Sequence, residues 1–216
     1  MPANDPREPT SNRPVRRLED EITLLRNKLL KMVDLVDEQC ANAITALLER
    51  DTELATDVIE RDNEIDEMEL QIDDVCERIL ALHQPVAVDL RLIITAIKVN
   101  TDLERIGDHC KNLAKGTGHL TRYRNVLPET YIEEMAESVR SMLQTALAAF
   151  VQQDEEKARE VLSSDQHIDM LHLKNFIALS KLSEDEPHLS EATAHLITIS
   201  KALERISDHA TNIGED

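Results

Sequence analysis

The chain has 216 residues and a formal net charge of −19, with 41% apolar and 31% charged residues, 2% aromatics, four glycines and no Trp. It is too poor in aromatic and turn residues for sheets, and it holds enough Leu, Ile, Val and Ala for helical cores in one large domain or two small ones. The acidity excludes bare nucleic-acid binding and a direct lipid-surface role, and it favours cations or basic protein surfaces as partners.

The first 14 residues carry four prolines and no apolar run, so they are expected to form a disordered tail and not a signal peptide. A first helix is expected from about Val15 to Glu49. Asp51 or Thr52 then caps a second, which continues to about Leu82. Pro85 opens a third helix that ends near "AKGTG", followed by the basic connector "HLTRYRNVLP". Helix four is expected from about Glu129 to Val151. Asp154 caps helix five, which ends near Leu182, and Pro187 stands in the first turn of helix six. The expected architecture is all-α, two tandem pseudo-repeated three-helix bundles of six helices in total. Its parts are a tail (1–14), a first bundle (15–116), a linker (117–127) and a second bundle (128–216). No segment offers the ~18 apolar residues of a membrane span, so no direct membrane insertion is expected. Cys40, Cys76 and Cys110 form no CxxC pair and read as reduced, packed thiols of a cytoplasmic protein.

The tandem reading rests on an internal repeat. "LERIGDHCKN" (Leu103–Asn112) returns as "LERISDHATN" (Leu203–Asn212), identical at seven of ten positions. Apolar residues at three-four spacing flank both copies: Ala96, Val99, Leu103, Ile106, Cys110 and Leu113 match Leu196, Ile199, Leu203, Ile206, Ala210 and Ile213. The second helices repeat as well, "DNEIDEMEL" (Asp62–Leu70) against "DQHIDMLHL" (Asp165–Leu173). Matched pairs in the same order indicate a duplicated unit.

Each repeated phrase carries two carboxylates four residues apart: Asp62 and Asp66, Glu104 and Asp108, Asp165 and Asp169, Glu204 and Asp208. Residues at this spacing are side by side on a helix. At 100° per residue Glu104 and Asp108 fall well off the apolar stripe, on the outer face. Asp62 and Asp66 lie on the flank of theirs. Antiparallel packing of helices two and three would gather four carboxylates in one outer groove. Like charges at this spacing repel, and a divalent or trivalent cation offsets that cost because hard cations take oxygen ligands. Asn100 and Asn112, and Asn212 in the second copy, are candidate accessory ligands. The same spacing also describes a merely solvated helix face with scattered salt bridges, such as Lys98 with Asp102 or Lys111 with Asp108. His109 and His209 are candidate ligands, but they are turned away from the clamps and read as capping or packing residues. Asp169-x-x-His172 is a single near-miss to the paired, inward-facing motif of di-iron bundles. No P-loop, nucleophile elbow, HExxH or dinucleotide glycine pattern is present.

These phrases resemble the repeated signature of the PhoU family of phosphate-uptake regulators. "HQPVAVDLRLIITAIKVNTD" (His83–Asp102) is similar to that family too, and the likeness runs from about Leu18 to Glu215. The resemblance implies two three-helix bundles. It also implies surface metal clusters at Asp62, Asp66, Glu104 and Asp108, and at Asp165, Asp169, Glu204 and Asp208. The metal is left open among iron, zinc, manganese, nickel and magnesium. It implies a non-catalytic negative regulator of phosphate uptake and phosphate-starvation signalling. Such an adaptor links a phosphate ABC transporter ATPase to a sensor histidine kinase, acts as a homodimer, and is cytoplasmic or held at the inner membrane face by its partners. Ser207 replaces the signature glycine, and Ala194-His195-Leu196 stands where Asp89-Leu90-Arg91 stands in the first copy, so unequal site occupancy is expected. Two other readings stay open on the residues alone: a carboxylate-bridged di-metal enzyme, and a helical scaffold without metal.

Overall fold

The computed structural model describes residues 13–120, 123 and 130–216, with side chains from residue 17 onward. The expected tail falls outside the described residues, except for its last two positions. Of the expected linker, residues 121–122 and 124–127 fall outside as well.

Six helices follow one another, α1 (Arg13–Glu49), α2 (Thr52–His83), α3 (Ala87–Leu120), α4 (Ile132–Gln152), α5 (Glu155–Asp185) and α6 (Ser190–Glu215). A short 3₁₀ turn (Pro187–Leu189) leads into α6. Among the described residues there is no strand. Helix α1 already includes Pro14, because proline fits the first helical turn, where no intrahelical N–H bond is lost. Asp51 and Asp154 cap α2 and α5 identically. Each side chain accepts two backbone N–H bonds, from Glu53 and Leu54 and from Glu156 and Lys157. They stand 103 residues apart, as do Asp62 and Asp165, so the duplication includes the caps.

The first four residues of the expected linker, 117–120, belong to helix α3. Helix α3 runs straight through Gly116, Thr117 and Gly118 to Leu120. Its buried stripe continues there through Leu113, Ala114, Thr117 and Leu120, and packing overrides the weak helix propensity of glycine.

Helices α1, α2 and α3 pack on one another, as do α4, α5 and α6, each triplet around its apolar stripe. Burying a Leu, Ile or Val in such a stripe stabilises by about 1.5–3 kcal/mol. The two triplets meet chiefly along α3 and α6 and, more narrowly, along α1 and α4. The buried apolar cluster therefore runs from one triplet into the other. Arg140 of α4 donates to the Asp37 carbonyl and carboxylate of α1 at 2.8 and 2.7 Å.

Close helix approach explains the signature glycine. A Cβ at Gly107 would lie 3.0 Å from Ile65 Cδ1 and 3.1 Å from its Cγ2, so glycine lets α3 seat against α2. The second triplet accepts Ser207 at the matching place. It is fully buried, and its hydroxyl donates to the Glu204 carbonyl at 2.7 Å.

Candidate metal centres

The tight α2–α3 turn makes these helices antiparallel, and Asp62 and Asp66 come to face Glu104 and Asp108. Burial pushes the Asp66 carboxyl up, and the charges of Asp62 and Asp108 push it further. Burial likewise raises Glu104, with Asp108, Asp66 and Glu69 adding repulsion against the opposing pull of Arg105. The four carboxylates thus feel one another as a set. Asp62 is 1% exposed, and its Oδ2 accepts a 2.5 Å ion-paired hydrogen bond from Lys111 Nζ. Its Oδ1 is buried with no hydrogen-bond partner among the described residues. A cationic side chain therefore already neutralises part of the first cluster. Lys111 pairs with Asp62 across the helices and not with Asp108 on its own helix.

The second cluster is built from the same positions on α5 and α6 but lacks that cation. Thr211 stands where Lys111 stands, and its hydroxyl donates to Asp165 Oδ1 at 3.2 Å. Asp165, Asp169 and Asp208 each present a carboxylate oxygen, all within 4.8 Å of one another. Burial, followed by the Asp169 charge, raises Asp165. Burial, followed by Glu204, raises Asp208. Glu204 pairs with Lys201 and, at 3.9 Å, with Arg205, while Arg205 also holds Asp208 at 3.0 Å. Hard cations bind oxygen at about 2.0–2.6 Å, so oxygens on opposite sides of one ion are separated by up to ~5 Å. The three aspartates meet that dimension, and the donor set is all oxygen, as such an ion requires. Among the described residues, no other set of three or more His, Cys, Asp or Glu side chains converges in this way.

The accessory asparagines are not placed alike: Asn100 keeps a buried Oδ1 with no hydrogen-bond partner among the described residues, while Asn112 and Asn212 face the α3–α6 side. Asn100 is buried, and its amide donates to the Glu69 carbonyl at 3.1 Å and to Asp73 at 3.0 Å. Asn212 donates to Asp102 Oδ1 at 2.9 Å, and Asn112 borders a cavity between α3 and α6. Four residues advance a helix by 400°, so these two rotate past the clamps onto the inter-triplet face, where His109 and His209 also lie.

Several contacts were not legible in the sequence. Lys98 pairs with Asp216, not with Asp102. Asp102 instead accepts from His209 Nδ1 at 2.7 Å as well as from Asn212. His109 and His209 stack with ring centroids 5.6 Å apart. His172, the near-miss to a di-iron ligand, is hydrogen-bonded to the Ser200 hydroxyl at 2.9 Å.

The PhoU domain model matches residues 29–117 and again residues 132–216. The chain is 36% identical over 202 residues to a phosphate-specific transport system accessory protein PhoU homolog of Zymomonas mobilis, covering 93% of this chain and 85% of that protein. It is 39% identical over 197 residues to a protein of the same description from Pseudomonas putida, covering 90% and 77%. Among solved structures, PhoU from Pseudomonas aeruginosa superposes with a TM-score of 0.86 at 37% identity, covering 91% of this chain and 95% of that one. The phosphate transport system regulatory protein PhoU from Streptococcus pneumoniae superposes at 0.83 with 29% identity, covering 92% and 93%.

Proposed function

The chain belongs to the PhoU family, and from that premise we propose that it is a non-catalytic accessory regulator of phosphate-specific transport whose outer carboxylate clusters bind metal ions. It represses phosphate uptake and phosphate-starvation signalling in replete cells by linking a transporter ATPase to a sensor histidine kinase. The observation that carries the metal reading is the convergence of Asp165, Asp169 and Asp208. Ordinary solvated helix faces spread like charges, whereas here burial and mutual repulsion hold two of the three carboxyls above their usual range. A divalent or trivalent cation relieves that repulsion.

The two clusters differ in strength. The second fills first, because Thr211 leaves it without the cross-helix cation that Lys111 supplies to the first, while both keep an arginine at the rim. The first, formed by Asp62, Asp66, Glu104 and Asp108, fills only when Lys111 gives way. Partner contact has its own surface. Met170, Leu173, Phe176 and Ile177 on α5 are 46–60% exposed at helical spacing, and such an apolar face is where a second copy or a transporter subunit docks. Among the described residues no helix is long and apolar enough to cross a membrane, so any membrane location comes through partners.

The test is a deletion strain carrying a phosphate-starvation reporter, complemented with wild type or with Asp165→Asn/Asp208→Asn. Deletion should derepress the reporter in phosphate-replete medium, wild type should restore repression, and the double variant should restore it only partly. Unchanged signalling on deletion would remove the regulatory reading. Full rescue by a metal-free double variant would remove the metal from it.

A further inference from the structure

Helices α3 and α6 pack antiparallel about a local two-fold that passes near the stacked His109 and His209. Asp102 meets Asn212, while His119 stacks on His195 at 4.1 Å, so equivalent positions swap sides across it. On one side of this axis the interface is closed by anions. Asp102 accepts from His209 and Asn212, and Asp216 pairs with Lys98. On the other side the sequence departs from the repeat. Ala202 stands where Asp102 stands in the first copy, and Gly116 where Asp216 stands in the second. Both carboxylates are missing, and a cavity of about 350 Å³ opens in their place.

The donors that would hold the first of those carboxylates remain, whereas Thr198 stands where Lys98 pairs with Asp216 in the other copy. His109 and Asn112, counterparts of the two Asp102 donors, line the cavity, with Lys115 in the position that is Glu215 in the other copy. His119 and His195 form another wall. Among the described residues none of these five has an ion pair, and Asn112 and Lys115 have no hydrogen-bond partner. Lys201 and Arg205 stand at the edge, engaged with Glu204 and Asp208. No lining residue is acidic, although the chain carries a net charge of −19.

We infer that this α3–α6 cavity binds a doubly charged oxyanion of the phosphate class, inorganic or as a monoester, on the donors that a carboxylate occupies on the opposite side. Gly116 and Thr198 replace an ion pair and leave the charge even, but Ala202 for Asp102 and Lys115 for Glu215 remove two uncompensated carboxylates, which matches a dianion. Imidazole nitrogens beside the Asn112 amide and the Lys115 ammonium provide donors to a phosphate oxygen. The cavity has room for an ester substituent beyond the phosphate. The inference rests on the broken two-fold and is independent of the metal reading.

The test is calorimetric titration of metal-free full-length protein, kept in chelator so that no anion binds through a cation. The titrants are inorganic phosphate, glycerol phosphate and, as a control, acetate. Ala202→Asp should weaken binding roughly tenfold or more, because it supplies the missing carboxylate internally. Lys115→Glu, on an exposed side chain that leaves the fold intact, should do the same. Saturable binding of phosphate or of the ester, lost in both variants, supports the inference, and the tighter titrant identifies the source. No saturable binding, equal binding of acetate, or binding untouched by Lys115→Glu overturns it.

Discussion

Asp102 and His209 lie 107 residues apart in the chain, and 2.7 Å separates their Oδ1 and Nδ1 atoms. With the Asn212 amide on the same oxygen, one carboxylate of the first triplet gathers two donors from the second. Only 13% of the Asp102 side chain is exposed, so losing the acceptor leaves the half-buried His209 donor without its partner, while the exposed Asn212 amide turns to water. Asp102→Ala should lower stability by about 1–3 kcal/mol. His209→Ala on top of it should cost less than it does alone, because the two act through one contact. Thermal or denaturant melts of the two single variants and the double variant check this, and additive losses would show that the contact carries no coupling.

Helix ends give a second expectation. Gln153 closes α4 at φ 53° with its N–H bonded to the last turn, in a left-handed conformation that favours glycine. With only four glycines in the chain, this cap is made by a residue with a Cβ penalty. Gln153→Gly should stabilise by roughly 0.5–1 kcal/mol, seen as a raised Tm. A lowered Tm would mean that the glutamine side chain contributes more than its backbone strain costs.

The clustered carboxylates contribute a recognisable part of the pH dependence of the metal-free protein. Asp66, Glu104, Asp165 and Asp208 are all raised, by burial first and then, for all four, by neighbouring carboxylates. The folded state therefore holds these protons more tightly than the unfolded chain. The penalty is absent below the unfolded carboxyl range, grows as pH rises through the raised folded values, and is complete above them. Burial lowers His109 and so opposes this gain on acidification, which makes the carboxylate contribution the difference between wild type and a clamp variant. Glu104→Gln/Asp108→Asn should be neutral or stabilised by about 0.2–0.5 kcal/mol at pH 7 and should gain less on acidification. Melts of wild type and variant that run parallel across this range would contradict the shared-site electrostatics.

Thiol reactivity gives a further check on the core. Cys40, Cys76 and Cys110 are free and buried, and burial pushes the Cys76 thiol up to about 11. Iodoacetamide at pH 7.5 should leave the native protein unlabelled and should label all three thiols after denaturation. Native labelling of Cys76 would mean that the α2 core opens on the labelling timescale.

The sequence made visible what local spacing encodes. Three-four apolar periodicity marked the six helices, aspartates before helical runs marked the caps at Asp51 and Asp154, and ExxxD spacing marked the side-by-side carboxylates. What it hid depends on how distant helices are rotated and juxtaposed. The end of α3 was misplaced because Gly116 and Gly118 look like punctuation, while burial of Thr117 and Leu120 decides the matter. Lys111 was paired with its own helix because nothing local reveals that α2 brings Asp62 nearer. The Asp102 contact and the cavity opposite it arise where two third helices cross. Their traces in the sequence are departures from the repeat, Ala202 for Asp102, Gly116 for Asp216 and Lys115 for Glu215.

The central claim is that Asp165, Asp169 and Asp208 form the stronger metal site and that Lys111 weakens its counterpart. Titrating chelator-treated protein with manganese or zinc measures it most directly, using wild type, Asp165→Asn/Asp208→Asn and Lys111→Thr side by side. The account predicts one tight site in wild type. The double aspartate variant should lose that site, with affinity falling by roughly tenfold or more. A second tight site should appear in Lys111→Thr. Wild-type affinity and stoichiometry in the double aspartate variant, or no gain in Lys111→Thr, would contradict it.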